Sequence, residues 1–225
     1  MYCCFVAASV TGGVGYLPMR VDRPPPGEEL NTGEVSAARL AASLILLRES
    51  PDGPEVLLVQ RNPEQRFMGG AWVFPGGAVH DGDGGDHART ALRELEEEAG
   101  VHMDDPGALV PWSRWITPEE VQVRFDTWFY AAAAPKGAEA RPDGSECVEA
   151  RWLTPGGALE AYSRDELMLV FPTIKHLEQL AEFDSVEAAL EQARGREVEP
   201  IQPRVVMKDG SAEVLLPGEP GYEEA

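Results

Sequence analysis

The sequence is short of cysteine and has no long hydrophobic run. Its three cysteines are an odd number, and Cys3 and Cys4 are adjacent while Cys147 lies far along the chain. This usage does not fit a disulfide framework and predicts a reducing, cytoplasmic environment. No stretch approaches the roughly 18 apolar residues of a membrane-spanning helix, and the mildly apolar start lacks the basic region that opens a signal peptide. We therefore expect neither a membrane span nor secretion.

Basic residues are also scarce. The 225 residues include 19 lysines and arginines against 39 aspartates and glutamates, for a net charge of −20. A field of this sign repels nucleic acid and anionic membranes, so we expect neither as a partner. It also repels anionic small molecules unless cations lie at the binding site. With 43% hydrophobic residues, the chain can build one sizeable domain with extra segments, or at most two small domains.

Composition divides the chain into three parts. Residues 1–36 include the proline-rich stretch VDRPPPGEEL and are predicted to be a disordered extension, or a misassigned one with Met19 rather than Met1 as the start. Residues 37–195 carry strand-like apolar segments first and helical patterns after Pro155, which favours an α+β or layered α/β/α domain. Residues 196–225 are rich in proline and glycine and are predicted to be a loosely ordered tail.

The stretch ALRELEEEAG contains four glutamates on one predicted helix. Asp86 is a good N-cap and Gly100 a good residue to end that helix. Glu94, Glu97 and Glu98 are spaced i, i+3, i+4, so their carboxylates are predicted to converge on one face. Three such carboxylates would suit Mg²⁺ or Mn²⁺, which prefer oxygen ligands. The alternative is an acidic face that is only solvated.

The residues around this helix resemble the Nudix box, the signature of hydrolases that cleave a nucleoside diphosphate linked to another group. The family pattern is a glycine, five residues, a glutamate, seven residues and a run with a fixed order of charged and apolar residues. Gly77 matches the glycine, but Asp83 replaces the glutamate, and nine residues separate it from the run. The residues that match the run are Arg93, Glu94, Leu95, Glu97, Glu98, Gly100 and Val101.

This resemblance implies a Nudix α/β/α sandwich with a mixed β-sheet and a loop–helix–loop box. It implies hydrolysis of a diphosphate bond that depends on Mg²⁺ or Mn²⁺, with Glu94 and Glu97 catalytic. The implied metal ligands are the side chains of Glu94, Glu97 and Glu98 and the Gly77 carbonyl. Arg93, four residues before Glu97, and Gly100 are expected to be structural in the box.

Two questions about the reaction stay open from the sequence. The general base is Glu94, acting through a bound water, or a glutamate of a later loop, Glu146 or Glu149. The role of Asp83 in the longer loop is undecided. A non-catalytic Nudix module that senses a nucleotide is the alternative from another class, and the helices after residue 155 are candidates for a homodimer interface.

The stretch LLVQRNPEQRFMGGAWVFPGG, residues 57–77, resembles an upstream motif of Nudix enzymes that hydrolyse coenzyme A. Arg61, Arg66 and Gly70 are its discriminating matches, whereas Val59 and Asn62 depart from it. Because an arginine fork matches phosphate oxygens, Arg61 and Arg66 are predicted to bind substrate. The predicted substrate is coenzyme A or its acyl esters; ADP-ribose or another nucleotide derivative is the alternative.

Overall fold

The computed structural model describes residues 19–21, 30–31, 33–208 and 211–224. Within these residues, eight strands form one sheet and three form a second, smaller sheet. The strands are β1 (Met19–Val21), β2 (Arg39–Ser50), β3 (Gly53–Arg61), β4 (Trp72–Val73), β5 (Gly76–Ala78), β6 (Val110–Ile116), β7 (Phe125–Ala133), β8 (Cys147–Leu153), β9 (Pro200–Ile201), β10 (Arg204–Lys208) and β11 (Ser211–Leu215). The α-helices are α1 (His87–Ala99), α2 (Pro155–Ser163), α3 (Phe171–Leu180) and α4 (Val186–Arg194).

Strand β2 is the centre of the main sheet. The order is β4-β3-β2-β7-β6-β9, with β5 also paired to β2 and β8 to β3. β2 is parallel to β7 and antiparallel to β3 and β5, so the sheet is mixed, as predicted. Residues 41–47 of β2 are all buried, because elements cover both faces of the sheet.

Side chains that alternate along β2 contribute to two separate cores. Leu44 and Leu46 pack with the apolar stripe of α1, whereas Ile45 and Leu47 pack with residues of α2, α3 and α4. A strand directs successive side chains to opposite faces, so one strand supplies both layers. The architecture is therefore helix, sheet, helix, and the predicted α/β/α sandwich is confirmed.

Helix α1 begins and ends where the sequence predicts. The side chain of Asp86 accepts hydrogen bonds from the backbone N–H groups of Ala88, at 2.9 Å, and Arg89, at 3.4 Å. Gly100 adopts a left-handed conformation, with φ of 64°, and its N–H donates to the Glu96 carbonyl at 3.0 Å. These two caps fix the length of the helix and hence the position of its glutamates.

The prediction of a loosely ordered tail after residue 195 is wrong for its described part. β10 and β11 form an antiparallel hairpin, and Val214, Leu215 and Leu216 are buried. The apolar residues in RVVMK and AEVLL outweigh the flanking prolines and glycines, because pairing the two segments removes those side chains from water.

The described part of residues 1–36 also pairs with the folded chain. β1 is antiparallel to β11, and Leu30 forms a bridge with Val121. The remaining predictions for the extension lie outside the described residues, and Met19 as the start stays a prediction. No helix in the described ranges is long and apolar enough to cross a membrane.

Candidate active site

A cavity of about 490 Å³ lies where β5 and α1 meet the ends of β2 and β7. Glu94, Glu97 and Glu98 line one end of it, together with the arginines Arg61 and Arg93. The cavity thus combines carboxylates and guanidinium groups at one end. Carboxylates can bind cations, and both those cations and the guanidinium groups can bind an anion.

Two glycines of β5 allow α1 to approach the sheet closely. A β-carbon on Gly77 would lie 2.3 Å from Oε1 of Glu94, and one on Gly76 would lie 2.6 Å from the carbonyl oxygen of Ala42. The Gly76 N–H donates to Oε2 of Glu98 at 2.9 Å. Glycine is therefore required at both positions because a side chain would collide with the site or with β2.

Burial dominates the electrostatics of two of the three glutamates. Glu94 and Glu98 are 6% and 2% exposed. Burial raises the pKa of Glu94, although neighbouring Arg93 opposes this effect. Burial also raises the pKa of Glu98, to about 7, and the nearby Glu94 carboxylate adds to the increase. A cation bound here would favour the charged form of both carboxylates and so lower both pKa values.

The third glutamate points differently. The Glu97 side chain is 58% exposed, and Arg93 Nη1 donates to its Oε2 at 2.7 Å and to Oε1 of Glu94 at 2.8 Å. The predicted contact between Arg93 and Glu97 is therefore present. Arg93 Nη1 lies between these two carboxylates. The Glu94 and Glu97 carboxylates therefore do not converge on one point, contrary to the prediction from the helical spacing. No group of three or more histidine, cysteine, aspartate or glutamate side chains is arranged as a metal site among the described residues.

The donor chemistry nevertheless fits a divalent cation. The buried carboxylates of Glu94 and Glu98 lie against Gly76 and Gly77, and carboxylate and carbonyl oxygens are the ligands that Mg²⁺ and Mn²⁺ prefer. The close fit of Glu94 beneath Gly77 leaves the carboxylate next to the backbone of β5. The ligand set implied by the resemblance, Glu94, Glu97, Glu98 and the Gly77 carbonyl, stays a prediction.

Asp83 holds Arg93 in place. Its carboxylate accepts from Arg93 Nε at 3.0 Å and Nη2 at 3.1 Å, from Thr90 Oγ1 at 2.9 Å and from the His80 N–H at 2.9 Å. The hydrogen bonds from Arg93 are the main reason that the pKa of Asp83 lies well below its ordinary value of 3.8. The question left open by the sequence is therefore answered structurally: Asp83 orients the arginine that contacts Glu94 and Glu97.

The longer loop is accommodated by a local turn. Residues Asp81–Asp83 form a single 3₁₀ turn, and Gly84 and Gly85 follow with φ of 65° and 76°. Glycine tolerates this conformation without strain. Two consecutive glycines therefore let the chain return to α1 while Asp83 still reaches Arg93.

We predict that Asp83→Asn lowers the free energy of unfolding at pH 7 by about 2 kcal/mol, because it weakens hydrogen bonds between charged groups. The native pKa of Asp83 is depressed, so its stabilisation is present above its ordinary pKa and is lost as pH falls towards the native value. The difference between wild type and variant should therefore shrink below about pH 4. Urea unfolding between pH 7 and pH 3 measures it.

Asp81→Asn is the matched control, since Asp81 is in the same turn but exposed. Equal stability of the two variants at pH 7 would contradict the role of Asp83.

The structure separates the two arginines predicted to bind substrate. Arg61 lines the cavity, with its side chain 19% exposed and Nη1 3.8 Å from Oε1 of Glu98. Its Nη2 donates to the Gln65 side chain, and its Nε donates to the Phe67 carbonyl at 3.4 Å. Arg66, also a described residue, is exposed and is not part of the cavity lining.

The other discriminating residue of that motif shapes the loop. Gly70 has φ of 80°, which favours glycine, and its N–H donates to the Arg61 carbonyl at 3.0 Å. Gly70 therefore closes the turn that carries Arg61 to the cavity.

The two glutamates of the later loop are also separated. Glu146 lines the cavity, and its charge contributes to raising the pKa of Glu94 and Glu98. Glu149 instead pairs with Arg151 at 2.7 Å. The β3–β8 register shifts beside Cys147, which turns Glu149 and Arg151 towards the face opposite α1.

Sequence reasoning missed the far end of the cavity. The β6–β7 loop and the C-terminal hairpin supply apolar residues there, including Val121, Val205 and Val214. No sequence motif marks these positions, because the loop and hairpin residues come together only when the hairpin packs against the domain.

Comparisons with known proteins agree with this geometry. A NUDIX domain model matches residues 37–170, more than half of the chain. An acyl-coenzyme A diphosphatase of Homo sapiens is 30% identical over 132 residues, which are 55% of this chain and 35% of that protein. A peroxisomal coenzyme A diphosphatase of Caenorhabditis elegans is 46% identical over 68 residues, 29% of this chain and 28% of that protein. The matched regions span well under two thirds of these relatives.

A solved NUDIX hydrolase from Alicyclobacillus acidocaldarius has the same fold. It superposes with a TM-score of 0.65 at 28% identity, over 69% of this chain and 96% of that one. The caps of α1, the glycines of β5 and the contacts of Arg93 with Asp83, Glu94 and Glu97 all lie within the segment that resembles the Nudix box. The chain therefore belongs to the Nudix hydrolase family.

Proposed function

We propose that this protein hydrolyses the diphosphate bond of coenzyme A or its acyl esters in a reaction that depends on Mg²⁺ or Mn²⁺. Water adds across the bond, giving 4′-phosphopantetheine, or its acyl form, and adenosine 3′,5′-bisphosphate. The observation that carries the proposal is the placement of Arg61, from the coenzyme A-type motif, 3.8 Å from the buried carboxylate of Glu98. Relatives named as coenzyme A diphosphatases support the same substrate.

Glu94, Glu97 and Glu98, with the Gly77 carbonyl, are the residues that would hold the cation. When bound, it would neutralise diphosphate charge and lower the pKa of a bound water. Asp83 holds Arg93 in place, and Arg93 in turn donates hydrogen bonds to Glu94 and Glu97 and keeps them in position. This arrangement also accounts for how a chain of net charge −20 accepts an anionic substrate.

Proton removal from the attacking water requires a general base. Glu94 and Glu146 both line the cavity, whereas Glu149 faces the other side of the sheet. Glu94 is buried and held by Arg93, while Glu146 is exposed on a loop. We therefore propose Glu94 as the base, with Glu146 as the alternative and Glu149 dropped.

A substrate panel tests the assignment. Turnover of coenzyme A, octanoyl-coenzyme A, dephospho-coenzyme A and ADP-ribose is measured with Mg²⁺ and with Mn²⁺. The proposal requires the highest kcat/KM for coenzyme A or its ester. If ADP-ribose is preferred, the coenzyme A assignment is wrong and the family assignment stands. If nothing is hydrolysed and a nucleotide only binds, the chain is a sensing module.

Arg61→Ala should lower kcat/KM for coenzyme A by about ten- to a hundredfold, the effect of losing hydrogen bonds to a charged group. Arg66→Ala, in the loop that follows Arg61 but outside the cavity lining, is the matched control and should change this kcat/KM by less than about threefold. Arg61→Lys should recover only part of the loss, because a point charge does not replace the guanidinium fork.

A larger effect of Arg66→Ala than of Arg61→Ala would overturn this ranking. The homodimer through the C-terminal helices and the cytoplasmic location stay predictions.

A further inference from the structure

The cavity has a second end that the hydrolysis of a diphosphate does not require. Phe67 and Phe125 line this end with ring centroids 5.6 Å apart, and the valines Val121, Val205 and Val214 belong to the same cavity lining. These side chains come from three separate parts of the chain, and the last two belong to the C-terminal hairpin. The hairpin therefore forms part of the substrate cavity.

The pairing of β2 locates the two ends relative to each other. Gly77 pairs with Ala42, and Phe125 pairs with Arg39, three residues earlier on the same strand. A strand rises about 3.3 Å per residue, so the apolar end begins on the order of 10 Å from the carboxylate end. A pantetheine arm that leaves the diphosphate is long enough to cover this distance.

Contacts within the C-terminal region place the hairpin at that end. Val205 and Val214 are direct partners in the β10–β11 register. The Val205 N–H donates to Oε2 of Glu120 at 3.4 Å, beside Val121 of the β6–β7 loop. The two valines therefore face the loop that also supplies Val121, and together they line a shared apolar wall.

Thr117 is one of the polar residues that line the cavity beside this wall, and it is already engaged; Arg39, the register partner of Phe125, is another. Thr117 Oγ1 accepts from the Phe125 N–H at 3.0 Å and donates to the Phe125 carbonyl at 3.3 Å. A nucleobase placed against this wall would lose hydrogen bonds to water and gain few in return, which costs free energy. An alkyl chain has no such groups and gains from leaving water. The wall therefore favours an aliphatic group over an adenine ring.

From this we infer that the C-terminal hairpin is a specificity element, and that Val205 and Val214 receive the acyl chain of an acyl-coenzyme A substrate. The inference rests on the proposed function. The reaction is unchanged, since water still cleaves the diphosphate bond and the thioester stays intact.

The test compares kcat/KM for octanoyl-coenzyme A with that for coenzyme A in the full chain. We expect wild type to favour the octanoyl ester, and Val205→Asp to reduce this preference by about tenfold or more, because a charge replaces part of the apolar wall. The readout is the ratio of the two kcat/KM values, so a change that lowers both values equally leaves the preference as it was. Met207→Asp is the matched control, since Met207 is on the same strand but 63% exposed.

Val205→Thr, which is close to valine in size but adds a hydroxyl group, serves if Val205→Asp does not fold. Its expected effect is a smaller reduction of the same preference. The inference is overturned if wild type shows no preference for the octanoyl ester, or if the folded variants keep it. Failure of the proposed function is a different result, in which wild type hydrolyses neither compound.

Discussion

Glu98→Gln is expected to lower kcat by about a thousandfold, or about 4 kcal/mol of transition-state stabilisation. Glu98 is 2% exposed, and its Oε2 accepts from the Gly76 N–H at 2.9 Å. Glutamine keeps an acceptor for that N–H but removes the charge that would hold a cation. The fold should therefore survive while the reaction is lost, as steady-state kinetics and thermal unfolding of the variant would measure.

Glu96→Gln is the matched control on the same helix. Glu96 is exposed, and its Oε2 lies 3.0 Å from Nδ1 of His102, away from the cavity. This variant should turn over substrate within about twofold of wild type, as expected for an exposed charge. Turnover of Glu98→Gln near that of wild type would show that the acidic helix face has no role in the reaction.

Gly77→Ala is expected to lower kcat/KM by about a hundredfold with little loss of stability. The added β-carbon would lie 2.3 Å from Oε1 of Glu94, so the carboxylate must move. Displacement of a catalytic group by about 1 Å can cost a hundredfold in rate. The group that yields is the end of a side chain rather than backbone, so the sheet itself is preserved.

Two other glycines separate this effect from a general loss of folding. Gly76→Ala would bring the new β-carbon 2.6 Å from the Ala42 carbonyl oxygen and 2.7 Å from Ser43 Cα, so that variant should fail to fold. Gly82→Ala has open space around the added carbon and should behave as wild type. If Gly77→Ala retained full activity, Glu94 would not need its observed position.

Helix α1, which carries the glutamates of the site, could be predicted because its sequence signals are local. Capping by Asp86 and Gly100 and the apolar stripe at Leu92 and Leu95 depend on residues within one or two turns. The spacing put Glu94, Glu97 and Glu98 on one face of the helix, and in the structure Glu94 and Glu98 lie against β5. It did not determine where each carboxylate points, because Arg93 and the close contact with the glycines decide that.

The differences between prediction and structure share a cause that is not local. The tail after residue 195 was assigned from composition, but its strands form through pairing with each other and with β1. Glu149 was a candidate base by position, and a register shift beside Cys147 turned it away. Arg66 matched a motif, yet the turn at Gly70 brings Arg61 rather than Arg66 to the cavity. Each outcome depends on contacts between residues far apart in sequence.

The most direct test of the account is product analysis in water enriched in ¹⁸O. The protein is treated with EDTA, incubated with coenzyme A with or without restored Mg²⁺ or Mn²⁺, and the products are identified by mass spectrometry. The account predicts no turnover without cation. With cation, it predicts 4′-phosphopantetheine and adenosine 3′,5′-bisphosphate, with one ¹⁸O on the phosphate that water attacked. Full turnover after EDTA treatment, or release of inorganic phosphate in place of these two products, would contradict it.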